Sequence, residues 1–175
     1  SRFGKENKWG TFPSAAFAWR VNQENFLKDV SWIDNLKLRV SYGIVGNQNG
    51  IGNYTTLGLA DNKGYEFGDT FQMGYLPGKE LSNPNLKWET NLNFNVGIDF
   101  SLFNNRFSGS FDFFTRRSKD LLYSRPIAPS LGYGSIDENV GALKNTGIEM
   151  VLNGTIINQN GWVWKLGMNL THYKN

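Results

Sequence analysis

The chain has 175 residues, the length of a single domain, and its formal net charge of +3 is spread along the sequence. It contains no cysteine, which excludes disulfides and cysteine-ligated metal sites. Basic residues occur as short pairs such as Arg116 and Arg117, and the absence of a basic stripe argues against nucleic-acid binding.

Two segments near the start of the chain alternate apolar and polar side chains with the period of two that is typical of a β-strand. In residues 14–21, Phe17 and Trp19 share the apolar face, and residues 36–44 follow the same rule. Between them, residues 22–35 predict a helical turn or two. No run of apolar residues approaches the roughly 20 that a membrane helix needs.

The clearest strand covers residues 86–100, LKWETNLNFNVGIDF, with Phe94 on its apolar face and Asn95 on its polar face. Strands of soluble proteins cluster at about 5–6 residues. At ~3.3 Å per residue this segment extends about 50 Å. Tilted by about 45°, it covers roughly 35 Å of height, which exceeds the ~25 Å apolar band of an outer-membrane barrel. The length therefore predicts a membrane barrel rather than a soluble sandwich.

Three further segments alternate in the same way, at residues 106–116, 147–157 and 162–173. The fold class predicted is all-β, an antiparallel transmembrane β-barrel fragment of about six strands.

The connections alternate between short and long. Asn104-Asn105 and Asn158–Gly161 predict tight hairpin turns, whereas residues 46–85 and 118–139 predict long loops. Outer-membrane barrels have short periplasmic turns and long outer loops. We therefore expect the tight turns to face the periplasm.

Aromatic side chains cluster toward the predicted strand ends, as in the girdles that flank the apolar band of such barrels. The alternative is that aromatic residues merely prefer strands. The residues expected to face lipid or to form a girdle are Trp19, Trp88, Phe94, Phe100, Phe107, Trp162 and Trp164. The charged residues expected to face the wet interior are Arg20, Lys37, Arg39, Lys87, Glu89, Asp99, Asp112, Arg116, Glu149 and Lys165.

Four phrases resemble the barrel of SusC-like (SusC/RagA) outer-membrane proteins, a group of TonB-dependent transporters. They are SRFGKENKWGTFPSAAFAWR at residues 1–20, LKLRVSYGIVGNQNGIGNY at 36–54, the run from NPNLKWET to SKDLL at 83–122, and NVGALKNTGIEM at 139–150. They occur in the family's order and together cover nearly the whole chain.

The resemblance implies an outer-membrane protein of a Gram-negative bacterium, with a barrel of about 22 strands closed by a plug. It also implies energy from TonB and a lid formed by a SusD-like lipoprotein, for a cargo that is usually an oligosaccharide and sometimes a peptide. Residues 1–175 would then be the C-terminal part of the barrel, without the plug, the TonB box and the final strands. Because open sheet edges are not stable in lipid, we expect the chain to be part of a longer polypeptide.

Aromatic and amide side chains crowd the first long loop. Sugars stack on aromatic rings and need hydrogen bonds for their hydroxyls, so this composition predicts a ligand site. The alternative is that the rings pack the loop or contact the lid. The candidate ligand-binding residues are Asn47, Gln48, Asn53, Tyr54, Tyr65, Phe67 and Tyr75.

No other motif predicts chemistry. His172 has no serine or carboxylate arranged around it, so no enzymatic activity is expected. Residues 61–69 lack the regular oxygen spacing of a calcium loop, and neither a metal nor a cofactor is expected. The leading hypothesis is TonB-dependent import of a glycan or similar large nutrient. A passive binding or adhesion barrel and a soluble carbohydrate-binding β-sandwich are the alternatives.

Overall fold

The computed structural model describes residues 2–175, which form an almost entirely β architecture. The strands are β1 (Ser14–Arg20), β2 (Ile33–Asn47), β3 (Ala60–Phe67), β4 (Thr70–Pro77), β5 (Glu80–Leu81), β6 (Glu89–Leu102), β7 (Phe107–Pro126), β8 (Ser135–Gln159) and β9 (Trp162–Lys174). Three short 3-10 helices occur at Lys5–Asn7, Val21–Gln23 and Pro129–Leu131. Within residues 2–175, none of the helices has the length and apolar character needed to cross a membrane.

One large sheet contains most of the strands, in the order β1-β2-β6-β7-β8, with β9 and the very short β5 also on β8. The β1–β2 and β8–β9 pairs are antiparallel, whereas β5 pairs with β8 in parallel over two residues. β3 and β4 form a separate antiparallel hairpin. The described strands therefore make an open, mostly antiparallel sheet, which confirms the predicted fold class.

β7 and β8 are much longer than predicted, with 20 and 25 residues. The predicted long loop at residues 118–139 is wrong for most of its length, because only residues 127–134 separate the two strands. Asp120 in β7 and Gly141 in β8 have left-handed φ angles of 55° and 63°. Such residues mark bulges that interrupt the alternation of side chains, so a period of two no longer reveals the strand beyond them.

The first long loop also contains regular structure, since β3, β4 and β5 lie within residues 46–85. The two tight turns are confirmed: Asn104 and Asn105 have φ angles of 57° and 59°, and Asn160 precedes Gly161 with φ angles of 53° and 81°. The helical turn predicted within residues 22–35 is limited to the 3-10 helix at Val21–Gln23 and hydrogen-bonded turns after it.

The chain divides into two compact units. The loop-rich unit comprises residues up to 11, 46–91 and 118–142, and the strand unit comprises residues 12–45, 92–117 and 143–175. The loop-rich unit contains a buried apolar cluster of Phe3, Ile51 and Leu86. In the strand unit, the buried apolar side chains among the described residues are Val21 and Phe114.

Candidate functional site around Tyr54

The loop that carries Tyr54 is fixed by the buried cluster of the loop-rich unit. Leu86 is fully buried against Phe3 and Ile51, and the ring centroid of Phe3 lies 4.6 Å from that of Trp88. The chain segments at Gly4 and Pro84 approach each other closely, since a Cβ on Gly4 would lie 2.0 Å from the Pro84 carbonyl oxygen. Burial of these side chains therefore joins three distant segments into one platform.

The three amide residues predicted as ligands are engaged within this platform. Asn47 donates from Nδ2 to Glu89 Oε1 at 3.1 Å and accepts from the Asn49 amide at 2.9 Å. Arg2 donates from Nε to Asn53 Oδ1 at 3.0 Å and from Nη1 to the backbone carbonyl oxygen of Gln48 at 3.3 Å, a contact that does not involve the Gln48 side-chain amide. These contacts order the loop, and a role of the amides in ligand binding stays a prediction.

The aromatic residues predicted to bind a ligand do not lie together on one face. In the hairpin, Tyr65 pairs with Gln72, and Tyr75 pairs with Asn62. Because side chains alternate along a strand, Tyr65 and Phe67 lie on one face and Tyr75 lies on the other. Tyr54 lies outside the hairpin, in the preceding loop, and is 62 % exposed.

Two rings pack on glycines of the neighbouring hairpin strand. A Cβ on Gly64 would lie 2.0 Å from Cζ of Phe71, and one on Gly74 would lie 3.3 Å from Cε1 of Tyr65. Each face of the hairpin thus has one ring covering a glycine. For Tyr65 and Phe71, this packing supports the alternative in which the rings order the loop itself.

Two cavities border Tyr54 and Leu57. The Thr55 cavity has a volume of about 510 Å³ and is lined by Gly52, Asn53, Tyr54, Thr55, Leu57, Leu59, Asp61, Gly78, Lys79 and Glu80. The Lys5 cavity has a volume of about 640 Å³ and is lined by Phe3, Gly4, Lys5, Glu6, Asn7, Lys8, Tyr54, Thr56, Leu57, Pro84 and Asn85. Of the predicted ligand residues, Tyr54 and Asn53 line a cavity.

The Thr55 cavity brings together polar groups that the sequence did not single out. Thr55 is only 5 % exposed, and its Oγ1 has no hydrogen-bond partner among the described residues. A Cβ on Gly52 would lie 2.9 Å from this oxygen and 4.0 Å from Glu80 Oε2. Gly52 and Thr55 lie far from Glu80 in sequence, so no local motif signals the site.

A hydrogen-bonded junction connects the segment just before β6 with β7 and β8 within the loop-rich unit. Asn139 donates from Nδ2 to the carbonyl oxygens of Lys87 and Asp120, both at 2.8 Å, and accepts from the Lys87 amide at 3.0 Å. Lys87 Nζ also lies 2.9 Å from Asp120 Oδ1. Asn139 therefore supports the bulge at Asp120 by bonding to its carbonyl group.

Charged residues of three strands meet on the polar face of the strand unit. Arg39 of β2 donates to both carboxylate oxygens of Asp99 of β6, at 2.8 and 2.7 Å. Its Nη2 also lies 3.0 and 3.1 Å from the two oxygens of Asp112 of β7. A Cβ on Gly97 would lie 2.2 Å from Asp112 Oδ1, so glycine leaves room for the cluster. The structure thus brings together three charges that the sequence assigned to one face.

The residues proposed for the lipid face and the girdle have different surroundings. Trp19, Phe107, Trp162 and Trp164 are exposed, and Phe100 contacts Phe107 with ring centroids 5.7 Å apart. Phe94 lies half-buried in β6.

Trp88 is also half-buried, and it packs against the apolar cluster of the loop-rich unit. These contacts place the ring beside the buried core of the loop-rich unit. A role of Trp88 in a membrane girdle stays a prediction.

No group of three or more histidine, aspartate or glutamate side chains that could hold a metal ion occurs within residues 2–175. The segment 61–69, considered above as a calcium loop, lies mostly in strand β3 of the hairpin. The site around Tyr54 is therefore described by its cavities and their polar lining.

The family model described as TonB dependent receptor-like, beta-barrel matches residues 1–175. The TonB-dependent receptor SusC of Bacteroides thetaiotaomicron is 41 % identical over 98 % of the chain. A TonB-dependent receptor of Formosa agariphila is 39 % identical over 100 % of the chain. The chain spans 17 % of the length of each of these two relatives.

A solved structure described as the RagAB peptide importer in the closed-closed state superposes on 99 % of the chain, with a TM-score of 0.84 and 33 % identity. The chain covers 18 % of that structure's chain. A second structure, described as the RagAB peptide transporter, gives a TM-score of 0.81 at 32 % identity. The chain therefore belongs to the TonB-dependent receptor family, as a SusC/RagA-like segment of an outer-membrane β-barrel of Gram-negative bacteria.

Proposed function

We propose that the chain forms barrel wall and part of the outer vestibule of a TonB-dependent importer whose cargo is a glycan or a similarly large nutrient. The observation that carries this proposal is the Arg39, Asp99 and Asp112 cluster on the polar face of the strand unit. An interior that holds water and a plug tolerates such charges, whereas hydrocarbon does not. The apolar residues that alternate with these charged residues along the strands then face lipid.

The surface around Tyr54 is our candidate for the vestibule. Its support is the exposed ring of Tyr54 beside a cavity whose lining includes carboxylates, an ammonium group and a hydroxyl group. Aromatic faces and hydrogen-bonding groups are the two features that sugar binding requires. We therefore favour a glycan as cargo. A peptide is the second candidate, because the solved relatives are described as a peptide importer or transporter.

We further propose that TonB energises transport and that a SusD-like lipoprotein covers the outer loops. The support is the family assignment, together with the exposed apolar side chains of Phe71 and Met73, which share one face of the hairpin. Apolar groups concentrated on a surface favour a protein partner. In this proposal the receptor moves its cargo without making or breaking a covalent bond.

The test is uptake of labelled oligosaccharides by cells that carry the full-length receptor, by cells that lack it and by cells that lack TonB. Uptake that requires both proteins is the expected result. Binding that persists at the cell surface without TonB-dependent uptake would favour the passive binding or adhesion barrel. A full-length protein that stays in solution without detergent would instead favour the soluble β-sandwich.

A further inference from the structure

The Thr55 hydroxyl is buried beside a cavity and has no hydrogen-bond partner among the described residues. Leaving a buried hydroxyl group unpaired is unfavourable, because it has lost its hydrogen bonds to water without gaining others. A partner supplied from solution, in the cavity, would remove this cost. We infer that the Thr55 cavity is a subsite for one neutral, hydroxyl-rich ring of a bound glycan, an inference that rests on the proposed import function.

Gly52 keeps the space beside this hydroxyl open. Its φ angle is not in the left-handed region, so the backbone conformation itself does not require glycine. A Cβ at this position would lie 2.9 Å from Thr55 Oγ1 and 4.0 Å from Glu80 Oε2. A ligand hydroxyl near this point lies within hydrogen-bond distance of Thr55 Oγ1, since hydrogen bonds between oxygens span about 2.5–3.0 Å, and Glu80 Oε2 is the next nearest atom.

The charges in the lining argue against an anionic ligand and suit hydroxyl groups. Asp61, Lys79 and Glu80 line the cavity, and their side chains make no ion pair or hydrogen bond with the described part of the chain. The two carboxylates outnumber the single ammonium group of Lys79, so the lining disfavours an anion. Hydroxyl groups satisfy all three, because they donate to carboxylates and accept from ammonium.

The shape of the cavity also suits a sugar ring. The volume of about 510 Å³ lies within the range of small-molecule sites, about 300–1,000 Å³. The Tyr54 ring, 62 % exposed, offers a flat surface for the C–H face of a sugar. Tyr54 and Thr55 are neighbours in sequence, so one short loop segment supplies the stacking and the hydrogen-bonding group.

The experiment measures binding by calorimetry to the purified full-length receptor in detergent. The probes are neutral linear hexasaccharides of glucose, xylose and arabinose, and a neutral hexapeptide with both ends blocked. Thr55→Val keeps the side-chain shape and removes the hydroxyl group, and Glu80→Gln removes one carboxylate. Thr56→Val is the matched control, because Thr56 lines the Lys5 cavity and not the Thr55 cavity.

We expect Thr55→Val to raise the Kd for a bound hexasaccharide about threefold to tenfold, the effect of one lost hydrogen bond. Glu80→Gln should raise the Kd less than Thr55→Val does, because the amide oxygen still accepts a hydrogen bond but lacks the charge. Thr56→Val should change the Kd less than about twofold. Gly52→Ala, which fills the open space, should weaken binding as well. Thr55→Val should not lower the unfolding temperature, since removal of an unpaired buried hydroxyl group relieves a cost.

Two results would overturn the inference while import stands. One is a hexasaccharide that the receptor binds and imports with the same Kd in Thr55→Val, Glu80→Gln and the control. The other is binding of the hexapeptide alone in a Thr55-dependent way, which would assign the subsite to peptides. A receptor that neither binds nor imports any of the hexasaccharides would overturn the inference together with the proposed glycan cargo.

Discussion

The two units of the chain keep apolar side chains from water in different ways. The loop-rich unit buries Phe3, Ile51 and Leu86 against one another, as a small soluble domain does. The strand unit leaves large apolar side chains such as Phe17, Trp164 and Leu166 exposed and gathers charges on its other face. The loop-rich unit surrounds its buried side chains with its own apolar residues, whereas the exposed apolar side chains of the strand unit require an apolar environment outside the unit.

This difference shows that the structures of the two units depend on different features of the sequence. In the strand unit, strict alternation predicts the face of each side chain, because successive residues of a strand point to opposite sides of the sheet. In the loop-rich unit, specific packing decides the structure, because the cluster joins segments that are up to about 80 residues apart in sequence. Substitutions that remove buried side chains should therefore affect the loop-rich unit most. Substitutions that place a side chain on the wrong face of the sheet should affect the strand unit most.

Leu86→Ala should have the largest effect. Leu86 is fully buried, and truncation of a buried leucine costs about 2–5 kcal/mol through lost burial and the remaining cavity. Hydrogen exchange followed by mass spectrometry should show faster exchange across residues 46–91. Leu76→Ala is the matched control, since Leu76 lies exposed on the hairpin. Equal exchange in both variants would contradict the proposed role of the buried cluster.

Phe94→Arg should destabilise the folded receptor by about 2–4 kcal/mol, because it places a charge against hydrocarbon. Asn95→Arg is the neighbouring control and should cost far less, since its side chain points to the polar face. Urea-dependent folding of the full-length receptor into lipid vesicles measures both. Comparable folding free energies for the two variants would show that the assigned facing is wrong.

The sequence predicted the parts of the structure that obey local rules. Alternation located the strands β1, β2, β6, β7, β8 and β9, and the Asn-containing segments located the two tight turns. It also assigned Arg39, Asp99 and Asp112 to one face, where the structure brings them together. These features depend on neighbours in sequence or on the simple period of a strand.

The remaining features depend on contacts that a single sequence does not display. Left-handed residues at Asp120 and Gly141 interrupt the alternation, so the last part of β7 and the first part of β8 were predicted as a loop. The register of the hairpin, with Tyr65 opposite Gln72, separates rings that the sequence predicted to form one group. The Thr55 cavity arises only when residues 52–55 meet residues 78–80.

Arg39→Met should destabilise the strand unit by about 1–2 kcal/mol. Removal of the guanidinium group leaves Asp99 and Asp112 facing each other, and partial exposure of the three side chains, at 33 %, 30 % and 16 %, screens part of that repulsion. Arg117→Met is the control, since exposed Arg117 makes no ion pair within residues 2–175. Urea unfolding in vesicles should separate the two variants, and equal midpoints would show that the cluster is not stabilising.

The smallest effect should come from the exposed pair of Arg125 and Glu138, near the ends of β7 and β8 that lie away from the tight turns. Arg125 Nε donates to Glu138 Oε1 at 2.6 Å, and this hydrogen bond lowers the pKa of Glu138 below its ordinary value of 4.5. The pair therefore stabilises the folded state above pH 4.5, and the contribution disappears as pH falls through the lowered pKa. Carbon-13 NMR of the Glu138 carboxyl group measures this directly. Its pKa should return toward 4.5 in Arg125→Gln and in high salt, because exposed ion pairs are screened. A Glu138 pKa that is the same in both proteins would show that the contact does not persist in solution.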